Sequence, residues 1–209
     1  MTASVNLVMK WSEPTDIELV RGLLGGDKDA FAELYRRRHG SVYRFVLLMT
    51  GRPEMADDIV QETFMALLNH TAGYDERKGA LNSFLIGVAR NQVLNRFRQD
   101  RRMVLVDEHS EEIEKDKATR EHFSSLLERE RVDVVRKAIL SLPPHYREVV
   151  ILCELQEMSY AETALIMNCA VGTVRSRLHR ARAILAEKLE PSRDESSKSK
   201  VIDASRCFA

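Results

Sequence analysis

Ser159-Tyr160-Ala161-Glu162 and, a short interval later, Val171-Gly172-Thr173-Val174-Arg175-Ser176-Arg177-Leu178-His179-Arg180-Ala181-Arg182 decide how this chain is read. Ser159 with Glu162 three residues on is a capping box, S-x-x-E, which marks a helix start. A short helix, a tight break at Asn168-Cys169-Ala170 and a second helix from about Gly172 to Leu189 have the proportions of a helix-turn-helix. At about 100° per residue, Val174, Leu178, Ala181 and Leu185 share one stripe of that second helix and must face a core. Ser176, His179 and Arg180 centre the opposite side, with Arg175 and Arg177 on its shoulders and Thr173 at its start. Arg175, Arg177, Arg180 and Arg182 stand between Val171 and Leu185 without a single acid. Arginine suits guanine edges and phosphates, and a helix N-terminus adds anion affinity. An ordinary surface helix mixes its charges; this one points to duplex DNA read in the major groove.

Working back along the sequence, Leu142-Pro143-Pro144 is a stop and restart, followed by a helix from His145 to Gln156. Val132, Val135 and Ile139 begin the periodic pattern of this half. With Leu142-Pro143-Pro144-His145-Tyr146-Arg147-Glu148-Val149 and Met158-Ser159-Tyr160-Ala161-Glu162, the helix-turn-helix resembles region 4 of the extracytoplasmic-function sigma factors. The resemblance implies a domain that binds the minus-35 promoter element through Thr173, Arg175, Ser176, Arg177, His179 and Arg180.

The N-terminal half reads as successive helices from Asp16 to about Arg102, broken at Gly25-Gly26-Asp27, at Gly51-Arg52-Pro53 and across the turn-rich stretch from Thr71 to Lys78. On the helix from about Glu54 to His70, Ala56, Ile59, Val60, Thr63 and Leu67 turn inward. Asp58, Gln61, Glu62, Met65, Leu68 and Asn69 then turn outward. Apolar Met65 and Leu68 among carboxylates are hydrophobic anchors in a charged rim, a pattern suited to a basic protein partner. Burial on both sides within its own domain is the alternative. Asp57-Asp58-Ile59-Val60-Gln61-Glu62-Thr63-Phe64 is similar to sigma region 2.2, which implies docking of Asp58, Gln61, Glu62, Met65 and Leu68 on the clamp helices of the polymerase largest subunit.

The next helix, from about Asn82 to Arg102, is basic. Between Phe84 and Arg102 five arginines (90, 96, 98, 101 and 102) face Asp100 alone. Leu85, Ile86, Ala89, Val93 and Phe97 form its buried stripe; Phe84, Asn91, Asn95 and Arg98 lie opposite, with Arg90 and Arg96 at the sides. An aromatic on a polar, basic face suits stacking on an exposed base, asparagines read base edges and arginines hold phosphates. Core packing is the other reading of Phe84. Ser83-Phe84-Leu85-Ile86-Gly87-Val88-Ala89-Arg90-Asn91 resembles the family's promoter-melting segment. That implies minus-10 contacts from Ser83, Phe84, Arg90, Asn91, Asn95 and Arg98, with base capture in the loop Gly79 to Ser83. Many relatives carry tryptophan where Phe84 stands, so stacking here is less extensive.

Bulk properties bound the reading. Thirty-two basic and thirty-two acidic residues leave the chain neutral, so a nucleic-acid role rests on charge distribution alone. From Asp107 to Glu130, nine acids meet four Lys or Arg, which reads as a solvated linker or a marginal helix, with a flexible spacer the favoured form. Cys153, Cys169 and Cys207 form no CxxC pair or zinc spacing, and no apolar run approaches the roughly 20 residues of a membrane span. The expectation is an all-α chain: residues 16–102 as sigma region 2, 103–131 as a flexible acidic linker, 132–190 as sigma region 4 and 191–209 as a disordered tail. The resemblance adds the partners, namely RNA polymerase core through its clamp helices and flap, promoter DNA and an anti-sigma factor. It implies a cytoplasmic protein with no cofactor, metal or small-molecule substrate. The competing classes are a stand-alone helix-turn-helix regulator, a sigma mimic that sequesters anti-sigma factors, and an enzyme, for which no catalytic motif is present.

Overall fold

A computed structural model describes residues 13–70, 74, 75, 77, 79–104 and 123–189. The described residues form helices α1 (Asp16–Leu24), α2 (Lys28–Thr50), α3 (Pro53–His70), α4 (Leu81–Val104), α5 (Phe123–Leu140), α6 (Pro144–Val150), α7 (Tyr160–Met167) and α8 (Val171–Leu189), with a π-helical turn, Ile151–Leu155, ending α6. The acidic stretch 105–122 and the tail from residue 190, Cys207 included, lie outside them. No strand occurs among the described residues.

Local chemistry sets the helix ends. Thr15 and Glu18 close a capping box on α1, and the Asp27 carboxylate caps α2 by accepting from the N–H groups of Asp29 and Ala30. Gly51 ends α2 in the left-handed region at φ 73°, where a residue without Cβ is favoured. Pro143 precedes α6 and Pro144 occupies its first turn, where the missing N–H costs nothing. α5 starts at Phe123 rather than near residue 132. Leu, Glu and Arg between 126 and 131 are good helix formers, so a segment read as spacer from its charge is helical. A second departure concerns the outer face of α5: Ile139 is buried, but Val132 and Val135 stand 64% and 42% exposed.

α1 to α4 pack on one another around Leu34, Phe45, Ile59, Leu67, Leu85 and Ile86, while α6 and α7 pack on α8 around Leu142, Ile151, Leu152 and Leu178. These are not isolated cores. α4 packs on α7, and α2 packs on α5, α6 and the π-helical turn, so the buried side chains form one continuous cluster. The Arg147 guanidinium staples the two halves. It donates to the Met49 carbonyl in the last turn of α2 at 2.5 Å, to that of Leu140 at the end of α5, and to that of Leu142 just beyond it at 3.1 Å. Burial pulls its proton affinity below the ordinary arginine value.

Gly51 sits at this junction, since a Cβ there would meet Leu140 Cδ2 at 3.3 Å. Gly51→Ala combines a left-handed backbone with that contact, and is expected to lower unfolding free energy by about 1–2 kcal/mol in a urea titration.

Candidate nucleic-acid and protein interfaces

On α8 the wheel reading holds. Val174, Leu178 and Ala181 are buried, Leu185 is half-buried, and Arg175, Ser176, His179 and Arg180 are exposed. Thr173 and Arg177 are half-buried on the shoulders. Among the described residues no ion pair engages Arg175, Arg177 or Arg180, whereas Arg182 bonds Glu154 at 2.5 Å and 3.1 Å. Among the described residues the four arginines therefore divide into three without an ion pair, Arg175 and Arg180 exposed and Arg177 half-buried, and one brace that ties α8 to the turn before α7. Arg175 also lies 6.0 Å from the centroid of the Tyr160 ring, at the start of α7, within cation–π range. Ser176 spends its hydroxyl on the Thr173 carbonyl at 3.0 Å.

The turn holding α7 against α8 is built locally. Asn168 caps α7 at φ 50° in the left-handed region, and Ser159 with Glu162 forms the expected capping box. The Glu162 carboxylate accepts from the Ser159 hydroxyl at 2.7 Å and from its N–H at 3.0 Å. These bonds hold its pKa below the usual glutamate value, with a smaller contribution from Ser83. Beneath the turn, the Cys153 thiol lies 3.4 Å from the Thr163 hydroxyl and is pushed up by burial.

On α3, Ala56, Ile59, Val60, Thr63 and Leu67 are buried, and Asp58, Gln61 and Glu62 are exposed. Met65 is 50% and Leu68 39% exposed beside them. The outward pair of apolar side chains in an acidic rim is present as the wheel requires. Phe64, unassigned by the wheel, is buried against Phe31 and Tyr35. Glu62 reaches across to α4, where Arg96 donates to it at 2.6 Å.

α4 departs from its sequence reading at its N-terminal end. Asn91, Asn95 and Arg98 are exposed, Arg98 donating to Asn95 at 3.2 Å. Phe84, placed by the wheel on the outer face, is half-buried and packs on the core, 5.6 Å from the Tyr74 ring. Arg90 is paired to Glu148 of α6 with side chains only 14% and 6% exposed. Ser83 is half-buried and donates to Glu162 at 3.4 Å. The loop ahead of α4 is also shorter than expected, because Leu81 to Ser83 already belong to the helix and Leu81 is buried. The contacts of Glu148 and Glu162 with this end of α4 have no local sequence signal; each arises through tertiary packing.

Sequence patterns described as Sigma-70 region 2 and Sigma-70 region 4 match residues 34–103 and 133–185. The ECF RNA polymerase sigma factor SigM of Mycobacterium tuberculosis is 31% identical over 85% of this chain and 86% of its own length. The chain is an extracytoplasmic-function sigma factor. The ECF RNA polymerase sigma-E factor of Haemophilus influenzae is 32% identical over 85% of this sigma factor and 96% of its own length. Among solved structures, the Bartonella quintana sigma factor RpoE in complex with the anti-sigma factor NepR matches with a TM-score of 0.64 and 25% identity. That match covers 78% of this chain and 98% of that one. Among the described residues of the sigma factor no His, Cys, Asp and Glu cluster is set to hold a metal, and no helix is long and apolar enough to cross a membrane.

Ser159→Ala removes the side-chain half of the α7 capping box, the hydroxyl that accepts from the Glu162 N–H, and leaves the backbone N–H of position 159 to donate to the Glu162 carboxylate. It is expected to cost about 1 kcal/mol and to return the Glu162 pKa toward the ordinary value in an NMR titration. Because the folded pKa is the depressed one, this stabilisation is present above the ordinary glutamate pKa and disappears as pH falls through the lowered value. The difference in stability between the two proteins should therefore narrow at acid pH, down to the part that comes from the Glu162 N–H bond to the Ser159 hydroxyl, which does not titrate.

Proposed function

We propose that this sigma factor directs promoter-specific initiation through separate faces on two units, residues 16–102 and 132–190, joined by the acidic segment 103–131. The carrying observation is the segregation of chemistry: an acidic, partly apolar face on α3 and an all-basic face on α8, both open to solvent. Asp58, Gln61, Glu62, Met65 and Leu68 dock on the clamp helices of core polymerase; a face rimmed by carboxylates repels DNA and attracts a basic protein surface. Arg175, Arg177 and Arg180, with Thr173, Ser176 and His179, read the minus-35 duplex in the major groove.

Asn91, Asn95 and Arg98 on the open part of α4, joined by Ser83, Phe84 and Arg90, take the melted minus-10 strand. Half-buried Phe84 serves this face by shaping its floor as much as by stacking. The exposed apolar row Val132, Val134 and Val135 on α5 supports a second polymerase contact, at the flap. Each face alone neutralises few phosphates and binds weakly; polymerase supplies the geometry that lets both act together. In this reading the protein catalyses nothing itself, works in the cytoplasm without cofactor or metal, and is restrained by an anti-sigma factor. A stand-alone regulator shares the α8 face but leaves the Met65 and Leu68 pair without a purpose.

Run-off transcription with sigma-free core polymerase, on templates from the gene's own upstream region, tests this reading. The expected result is discrete transcripts that Arg175→Ala reduces by about 10-fold or more, the cost of one good base contact. Absence of both transcripts and core binding would return the chain to the ordinary regulators. A second experiment separates the faces. Arg180→Ala should weaken minus-35 binding and spare core binding, and Asp58→Ala with Gln61→Ala should do the reverse; swapped effects would refute the assignment.

A further inference from the structure

Gly87 stands in the interior of α4, where glycine weakens a helix relative to alanine. Glycines elsewhere have a local reason. A Cβ on Gly22 would come within 3.0 Å of Ala30 Cβ, and Gly51 sits at φ 73° against Leu140. Gly172 falls in the first turn of α8. Among the described residues, Gly87 is the one glycine away from a helix end whose Cβ would meet nothing within 4 Å. Neither packing nor backbone strain calls for it, and alanine would fit the fold. The physical use left for a bare backbone is close approach by a ligand.

Its place on the helix says which ligand. At about 100° per residue, Ser83, Phe84, Arg90, Asn91, Asn95 and Arg98 all lie within about 80° of Gly87, which puts the glycine in the middle of that face. With a rise of about 1.5 Å per residue, Phe84 stands about 4.5 Å toward the N-terminus and Asn91 about 6 Å toward the C-terminus. The gap between them is floored by backbone, with an aromatic ring at one end and an amide at the other. The Tyr74 ring lies 5.6 Å from that of Phe84 and steadies it. Asn91 is exposed, and no described residue hydrogen-bonds its amide. An unpaired base offers a π-face to the ring and edge donors and acceptors to the amide, both of which a duplex keeps inside its stack.

We propose that Gly87 floors a notch that seats one unpaired deoxynucleotide of the melted strand, its base between the Phe84 ring and the Asn91 amide. The inference rests on the reading of α4 as the strand-reading helix. A methyl group on residue 87 would fill space the nucleotide needs, yet touch no packed neighbour of α4. One substitution therefore moves stability and function in opposite directions.

Full-length wild type, Gly87→Ala, Gly87→Leu and Arg98→Ala are each reconstituted with sigma-free core polymerase, on a linear promoter template that the wild-type holoenzyme transcribes. Permanganate reactivity of unpaired thymines reads the melted fraction as holoenzyme is titrated. Co-elution reads core binding, and circular dichroism reads thermal unfolding of the free chains. Gly87→Ala is expected to raise the melting temperature by about 2–4 °C, the gain in helix propensity for a protein of this size, and to bind core as wild type does. It should need about fivefold more holoenzyme or beyond for the same melted fraction, the contribution of a single stacked base. Gly87→Leu should need more still. A stabilised Gly87→Ala chain that melts the promoter like wild type overturns the notch. So does a destabilised one, since the glycine then belongs to the fold. If Arg98→Ala reduces melting in either of those cases, the reading of α4 stands without the notch. If neither Arg98→Ala nor Gly87→Ala alters melting, the α4 assignment falls and the notch falls with it.

Discussion

Every functional face in this molecule depends on one constraint: a helix that gives its apolar stripe to a core has no freedom left in how it turns. Val174, Leu178 and Ala181 are buried, which fixes the rotation of α8 about its own axis and leaves Arg175 and Arg180 outward. The same holds for α3, where buried Ile59, Val60 and Leu67 force Met65 and Leu68 into solvent. Exposing two large apolar side chains is unfavourable in isolation, and the helix has no rotation that hides them without exposing more. Hydrophobic burial thus acts as a goniometer for charge.

This is also why so much was legible in the sequence. Periodicity placed the inward residues of α3 and α8, and the S-x-x-E pair marked the start of α7. What failed has a physical reason each time. Residues 123–131 carry helix-forming Leu, Glu and Arg, yet they close an acidic stretch that was read as spacer, because charge density reports solvation and not backbone conformation. Val132 and Val135 were periodic but exposed, since periodicity cannot tell a core from an outer apolar row. The Thr15 and Glu18 capping box on α1 was present in the sequence and readable by the same rule that found the one on α7.

The end of α4 was beyond reach for a different reason. The wheel assigned Phe84 and Arg90 to a free face from the residues of one helix. Arg90 and Ser83 are covered from α6 and α7, more than fifty residues away, as the Arg90–Glu148 and Ser83–Glu162 contacts make plain, and Phe84 is covered in part by Tyr74 ahead of the helix. Neighbours in space leave no local trace in a single chain. The surface partners Arg96–Glu62 and Arg182–Glu154 belong to the same class; being solvent-exposed, they orient side chains more than they stabilise the fold.

The π-helical turn Ile151–Leu155, closed by the Gln156 N–H donating to the Ile151 carbonyl at 2.9 Å, carries a lesson about ancestry. A wider turn takes up one additional residue while the flanking segments keep their phase. An insertion or deletion here is therefore nearly silent for the aim of α7 and α8, although it would shift the register of an ordinary helix by about 100° per residue. A chain with one residue more or fewer between Tyr146 and Met158 can still turn the same arginines of α8 outward. What such a change does alter is the reach of Gln156 toward α2, so the grip between the two halves can drift while the arginine face of α8 stays where it is.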